Sequence, residues 1–337
     1  MEPSVVSNLV TGALVAAAVA AGWAAARSPL WREAARGLWR RRSVSLVAVG
    51  VYVLIALLDS FAWVGGNEGV GVQRPRTVID RLFPADFQER SYSAPLARTE
   101  LYGGAPLHHP GRHLLGTDIL GRDVLQQALK GARVALLVGG LTTLIVIPIA
   151  LLFGVSAGYF GGRVDDAVFF IVSTLASMPG LLLLIALVMA LGRGPVQVCV
   201  ALGVTGWVGF CRVTRGETLK LRELDYVQAS RALGASAPAI IWRHVLPNLS
   251  HLVVITFVLT FSGLVLSEAV LSWLGLGLDG SWGQMIDQAR DELARDPIVW
   301  WNLGAASVAL FGLILAVNLL GDGVRDVLDP RTRRERG

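Results

Sequence analysis

Charged residues are scarce in this sequence. They make up 16% of the 337 residues, while hydrophobic residues make up 53%, and an average soluble domain is about a quarter charged. Two long apolar stretches, Pro195–Cys211 and Leu252–Leu266, contain no charged residue at all. This composition excludes an ordinary soluble domain and predicts an integral membrane protein.

Catalytic and nucleotide-binding motifs are also absent. The sequence contains no Gly-x-x-x-x-Gly-Lys phosphate loop, no Ser-x-x-Lys element and no His-Glu-x-x-His element. We therefore predict that this chain is not an enzyme, and that it has no catalytic, cofactor-binding or metal-binding residue.

Cysteine and histidine are few, with two and five residues respectively. Cys199 and Cys211 would lie roughly 18 Å apart on one helix, at about 1.5 Å per residue, which is too far for a disulfide bond. His108, His109 and His113 lie close together in a polar segment. We interpret that segment as an external loop, and a metal site is the alternative.

Basic residues lie beside apolar segments. The net charge is +5, and arginines cluster at 27–42, 212–215 and 325–336, as they do on the cytoplasmic side of membrane helices. This pattern argues against nucleic-acid binding and predicts an external N-terminus and a cytoplasmic C-terminus. The predicted spans are Val5–Ala26, Val44–Val64, Val134–Phe153, Ala167–Leu191, Pro195–Cys211, Leu252–Trp273 and Trp301–Leu320.

These spans divide the chain into consecutive parts. Residues 1–42 hold an extra N-terminal span and a basic linker, 43–64 hold the next span, and 323–337 form a basic tail. Residues 65–130 are predicted to be external and to end in an amphipathic surface helix, Leu114–Lys130, capped by Thr117 or Asp118. Residues 131–322 form the core, which includes a cytoplasmic loop at 213–250.

The most distinctive stretch is Glu217–Ser250, a charged island between two apolar runs, which we call the elbow. Its composition predicts a helix from Glu217 to Leu233 and a turn at Gly234. A second helix, with Ser236 as its cap, is predicted to end before Pro247. An ordinary cytoplasmic loop with two helices is the alternative interpretation.

The elbow carries a recognisable pattern. Gln228-Ala229-Ser230, followed by Gly234 and by Leu246-Pro247, resembles the EAA signature of ABC importer permeases. Strings at 116–133, 158–166 and 281–286 resemble the dipeptide/oligopeptide/nickel branch of that family, so the resemblance covers roughly Arg40–Arg331. Gln228 stands where the signature has Glu, and Ser230 stands where it has the second Ala.

The resemblance implies an all-α integral membrane protein with the six-helix core of a type I ABC importer, plus the extra N-terminal helix. It implies a transport function, with di- or oligopeptides as the expected substrates and alternating access as the mechanism. The implied partners are a second permease, two ATPase subunits that bind ATP and Mg, an external substrate-binding protein and the lipid of a bacterial inner membrane. Alternatives are an importer of nickel, glutathione, opine or oligosaccharide, an ATP-independent channel or carrier, and a non-transport scaffold.

Two sets of site residues follow. The resemblance implies ATPase coupling through the elbow, at Leu224, Asp225, Tyr226, Gln228, Ala229, Ser230, Arg231, Gly234, Ala235 and Pro247. Candidate pathway residues are Met178, Pro179 and Gly180, which break a membrane helix, and Glu268, an acid inside an apolar run. A packing kink and a solvated carboxylate are the respective alternatives.

Overall fold

The computed structural model of the protein describes residues 29–63, 76–84, 87–192 and 194–328. The predicted span Val5–Ala26 and most of the basic tail lie outside these ranges. Within them, five helices are long and apolar enough to cross a membrane, or six if one bent pair counts as a single span. The described helices therefore fit the prediction of an all-α membrane protein.

The helices and strands are numbered in chain order. They are α1 (Pro29–Ser60), β1 (Ala62–Trp63), β2 (Arg76–Thr77), α2 (Val78–Leu82), α3 (Val124–Phe160), α4 (Gly162–Ser177), α5 (Gly180–Leu191), α6 (Pro195–Arg222), α7 (Asp225–Ala232), α8 (Ala237–Ile240), a π-helical turn (Ile241–Val245), α9 (Leu246–Trp273), α10 (Trp282–Glu292) and α11 (Trp301–Leu328). Strands β1 and β2 pair antiparallel, with Ala62 opposite Thr77. Helix α1 has a non-helical residue at Arg42, where its membrane-length part begins.

Helix α3 begins later than the amphipathic helix predicted at Leu114–Lys130. Asp123 Oδ1 accepts the N–H of Gln126 at 2.9 Å, so Asp123 satisfies the first turn of α3. Thr117 instead accepts the N–H of Ser93 at 2.7 Å, and Asp118 accepts the N–H of Leu120 at 2.9 Å. The prediction of a separate surface helix is therefore wrong, because Thr117 and Asp118 stabilise loops and α3 runs unbroken from Val124 to Phe160.

The predicted break in the span Ala167–Leu191 is present. Helices α4 and α5 meet at an angle of 92°. Met178, which has an extended backbone, and Pro179 lie between them. Proline cannot donate a backbone hydrogen bond, so a helix is readily interrupted there.

Two helix ends in the elbow differ from the prediction. A break at Glu223 and Leu224 divides the predicted helix Glu217–Leu233, because α6 runs on to Arg222 before α7 begins. The helix predicted to end at Leu246 continues through the π-helical turn into α9. In that turn the N–H of Leu246 donates to the carbonyl of Ile241, and Pro247 follows directly after it, within α9.

The described chain forms two compact units. The first contains residues up to Leu136 together with Ala269–Gly323. Trp282 Nε1 donates to the carbonyl of Ala128 at 2.8 Å, and Trp301 Nε1 donates to the carbonyl of Thr117 at 3.0 Å. These buried indoles hold α10 and α11 against the start of α3 and the loop before it.

The second unit contains the described residues of Leu137–Glu268 and those from Val324 to Leu328. Here α3 and α6 approach closely at Gly154 and Gly158. A Cβ atom on Gly154 would lie 2.0 Å from Thr214 Oγ1, and one on Gly158 would lie 2.7 Å from Thr218 Cβ. Small residues four apart allow such close contact between membrane helices.

Candidate functional site

The elbow is anchored at its base in the second unit. Val245 and Leu249 are fully buried and pack with Val155 and Leu221 in one apolar cluster. Arg222 Nη1 donates to the carbonyl of Gly158 at 3.1 Å, which ties the end of α6 to α3. The base of the elbow is therefore part of the packed core of its unit.

Helix α7 presents its other face outward. Val227 is buried at 2% exposure, whereas Leu233 is 88% exposed. Leu224 and Tyr226 are also large and exposed. A set of exposed apolar side chains on a short polar helix is typical of a protein-binding surface.

The turn at Gly234 has the predicted conformation. Gly234 has φ +84°, and nothing lies within 4 Å of the position that a Cβ would occupy. The N–H of Gly234 donates to the carbonyl of Arg231 at 3.0 Å, and that of Ala235 donates to Ser230 at 3.2 Å. A left-handed residue with these bonds ends a helix in a fixed geometry.

Gln228 departs from the family signature and has a structural role that glutamate could not fill. Its side-chain Nε2 donates to the carbonyl of Arg222 at 2.9 Å. That carbonyl lies at the end of α6, where helical partners are lacking. A carboxylate has no hydrogen to donate, so the amide strengthens the junction between α6 and α7.

The remaining predicted coupling residues lie on the same elbow. Tyr226 packs its ring 5.7 Å from that of His244 and accepts a hydrogen bond from Asn248 at 3.2 Å. Asp225 lies in the first turn of α7 and Arg231 in the last, where each charge favours the helix dipole. Ala229, Ala235 and Pro247 are exposed, and Ser230 is half-buried.

The candidate pathway residues lie in two different surroundings. Met178, Pro179 and Gly180 are exposed at the break between α4 and α5, whereas Glu268 is buried at 3% exposure within α9. A pathway role for either group stays a prediction.

Sequence reasoning missed a buried cluster around His113. Its Nδ1 lies 2.9 Å from Asp123 Oδ2 and its Nε2 lies 3.2 Å from Glu89 Oε1. The backbone N–H groups of His108 and His109 also donate to Glu89. Among the described residues, no group of three or more His, Cys, Asp or Glu side chains is arranged to hold a metal ion. The three residues are far apart in the sequence, so only their shared polarity could have suggested the cluster.

Residues 150–334, more than half of the chain, match the family described as binding-protein-dependent transport system inner membrane components. The chain belongs to this family. It is a permease subunit of an ABC importer and a multi-pass inner-membrane protein, as the EAA-like pattern of the elbow predicted.

Its relatives include permeases of several peptide transport systems. A glutathione transport system permease protein of Pectobacterium atrosepticum is 38% identical over 317 residues, covering 91% of this chain and 93% of the relative. An oligopeptide transport system permease protein of Bacillus subtilis is 30% identical over 312 residues, covering 90% and 91%. A dipeptide transport system permease protein of the same organism is 39% identical over 225 residues, covering 66% and 70%.

The fold also resembles a solved transporter. A chain of the MetNI methionine ABC transporter, in an inward-facing conformation, matches with a TM-score of 0.50 at 22% identity, covering 60% of this chain and 97% of that one. The importer-permease fold predicted from the sequence is confirmed by this likeness, which concerns the fold alone.

Proposed function

We propose that this permease imports di- or oligopeptides and is driven by ATPase subunits through its elbow. The observation that carries the proposal is the form of the elbow. Helix α7, with Tyr226 exposed within it and Leu224 and Leu233 exposed at its two ends, projects from a base whose Val245 and Leu249 are fully buried. The exposed end provides a surface for a soluble partner, and the buried base provides a connection to the membrane helices.

The elbow is built to transmit movement. Gln228 and Arg222 fix α7 to α6 and α6 to α3 through hydrogen bonds. Gly234 fixes the angle at which the chain leaves α7. A loop without these restraints would absorb a push from a partner in its own free dihedral angles, whereas a restrained elbow passes it to α6 and α9.

The ATPase subunits would supply the chemistry that this chain lacks, since its sequence has no phosphate loop. ATP and Mg would bind to two such subunits. A second permease would complete the pathway, and an external binding protein would deliver substrate. Closure of the ATPases would move the elbows and so alternate the opening of the helices between the two sides of the membrane.

A peptide substrate is supported by the names of the relatives, which are permeases for dipeptides, oligopeptides and glutathione. Dipeptides, oligopeptides and glutathione are all short chains of units joined by amide bonds. Nickel, opine and oligosaccharide stay as alternatives for the substrate, and an ATP-independent carrier stays as the alternative mechanism.

The elbow is tested by Gly234→Pro in the assembled transporter. Proline requires φ near about −65°, and Gly234 has φ +84°, so the turn must change. We expect substrate uptake to fall at least tenfold, with membrane insertion unchanged. The rate of ATP hydrolysis should no longer depend on the presence of substrate. Gly216→Ala, at an open site within α6, is the control. Unchanged uptake in Gly234→Pro would exclude the elbow as the coupling element.

A further inference from the structure

A polar cavity of about 230 Å³ lies in the first unit, between the first turns of α3 and helix α10. Its polar lining includes Gln126, Gln127, Gln284, Gln288, Arg122 and Lys130. We call it the glutamine cavity. On the topology expected from the arginine pattern it opens to the external side, where a substrate or a binding protein arrives.

The two cations of the cavity already have carboxylate partners. Arg122 Nη2 lies 2.7 Å from Asp118 Oδ2, and Lys130 Nζ lies 2.6 Å from Asp80 Oδ1. A free anion would have to compete with these carboxylates, and a cationic ligand would be repelled by Arg122 and Lys130. The charges therefore favour a neutral polar ligand.

The glutamines already use part of their hydrogen-bonding capacity within the protein. Gln126 Nε2 donates to Asp80 at 2.9 Å, and Gln127 Nε2 donates to Asp118 at 3.1 Å. One hydrogen of each amide nitrogen is used in this way, which leaves the second hydrogen and the side-chain oxygen of each glutamine able to bond a molecule in the cavity. Gln288 Oε1 is buried and accepts no hydrogen bond from any residue that the structure describes. Buried acceptors are seldom left unpaired in folded proteins.

We propose that the glutamine cavity binds a peptide group, whose N–H donates to Gln288 Oε1 once that side chain turns its oxygen toward the cavity. A peptide group is neutral, it carries the donor that Gln288 lacks, and its carbonyl suits the remaining N–H groups of Arg122 and Lys130. Both the transported peptide and an exposed loop of the binding protein offer this chemistry. The inference rests on the proposed function, since only a peptide importer served by a binding protein brings both to this face.

The test uses the complete transporter in lipid nanodiscs, with three changes at one position. Gln288→Met removes the acceptor while keeping the length of the side chain, whereas Gln288→Glu keeps an acceptor. Gln288→Asn shortens the side chain and so moves its acceptor away from the ligand. It replaces Gln288→Met as the weakened variant if Gln288→Met does not assemble. The matched control is Arg290→Met, an exposed position on α10 that does not line the cavity.

Two dissociation constants are measured for each variant, that of the purified binding protein and that of trialanine added without it. We expect Gln288→Met to weaken one of them roughly five- to tenfold, as for one neutral hydrogen bond. Gln288→Glu and Arg290→Met should stay within about twofold of the native protein on the same scale. A loss for the binding protein identifies its loop as the ligand, and a loss for trialanine identifies the transported peptide.

The proposal is overturned if Gln288→Met and Gln288→Asn bind both probes as the native complex does, or if Arg290→Met loses as much affinity. Peptide uptake by the native complex is measured separately. A native complex that binds its partner but does not couple uptake to ATP hydrolysis would contradict the proposed function, and the comparison of variants would still decide the cavity.

Discussion

His113 Nδ1 lies 2.9 Å from Asp123 Oδ2, and both side chains are buried. On the other side of the ring, Nε2 lies 3.2 Å from Glu89 Oε1. The ring of Phe87 covers the imidazole, with its centroid 4.3 Å away. The imidazole is thus enclosed between two carboxylates, an arrangement that stabilises its protonated form.

The pKa values of this cluster move in opposite directions. Burial acts to lower the pKa of His113, but hydrogen bonds to Asp123 and Glu89 outweigh it, so that pKa is raised above 6.5. Burial acts to raise the pKa of Glu89, but the N–H groups of His108 and His109 outweigh it, so that pKa is lowered below 4.5. His113 therefore stabilises the fold fully below its unfolded pKa, and this stability is lost as pH rises through its folded pKa. The stability from Glu89 is present above its unfolded pKa and is lost as pH falls through its folded pKa.

The first prediction is that the loop at 87–123 becomes less stable as the pH rises through the folded pKa of His113. His113→Asn should abolish this alkaline loss and lower stability at neutral pH by about 3 kcal/mol, because it leaves buried carboxylates without a cation. Hydrogen exchange of the loop amides, corrected for intrinsic rates, measures both effects. The control is His108→Asn, whose side chain is exposed and whose backbone donor to Glu89 remains. An alkaline loss that persists in His113→Asn would contradict the assignment.

A second prediction concerns the contact between α3 and α6. In Gly154→Ala the new methyl group would meet Thr214 Oγ1 at 2.0 Å and the carbonyl of Cys211 at 2.7 Å, so the helices must separate. We expect a loss of about 1–3 kcal/mol in unfolding free energy. Gly140→Ala lies on the same helix with nothing within 4 Å of its Cβ position and should be neutral or stabilising. If the two variants unfold at the same temperature, the close contact between α3 and α6 does not contribute to stability.

Much of the membrane architecture could be predicted from composition alone. Apolar length located the described spans, because every backbone group in a bilayer must be bonded within a helix. Gly234 was identified as a turn because it ends a run of good helix formers, and it has the positive φ that such a position requires. These features depend on residues close together in the sequence.

The features that could not be predicted depend on distant partners. Thr117 looked like a helix cap, but Ser93 and Ser91 engage its hydroxyl, and Asp123 takes the capping position instead. Pro247 is predicted from the sequence to end a helix, but the π-helical turn Ile241–Val245 precedes it and the helix continues. The glutamine cavity joins residues of α3 and α10, more than a hundred positions apart, so local patterns carry no sign of it.

A third prediction separates binding from folding in the elbow. Leu233 is 88% exposed and Val227 is 2% exposed, although both belong to the short segment around α7. Leu233→Ala should weaken association with the ATPase subunits without changing thermal unfolding. Val227→Ala should destabilise the second unit by about 2 kcal/mol, as expected for a buried valine. Association is measured by co-purification with the ATPase subunits at increasing salt concentration. If Leu233→Ala recovers as much ATPase as the native protein, Leu233 is not part of the docking surface.

The last prediction concerns Glu292, a buried acid at the end of α10. Burial raises its pKa above 4.5 and outweighs the nearby Asn302 amide. Tyr92 responds to the same surroundings, since its own burial and the charge of Glu292 raise its pKa to about 12. The folded protein thus holds the proton of Glu292 more tightly than the unfolded chain does.

Stability should therefore be highest below the unfolded pKa of Glu292 and should fall as pH rises through its folded pKa. Glu292→Gln cannot ionise, so it should remove this decline and unfold at a higher temperature than the native protein at neutral pH. Asp291→Asn, at the exposed neighbouring position, should leave the pH profile unchanged. If Glu292→Gln instead unfolds at a lower temperature at neutral pH, the ionised carboxylate must stabilise the fold, with the nearby Arg295 guanidinium as its partner.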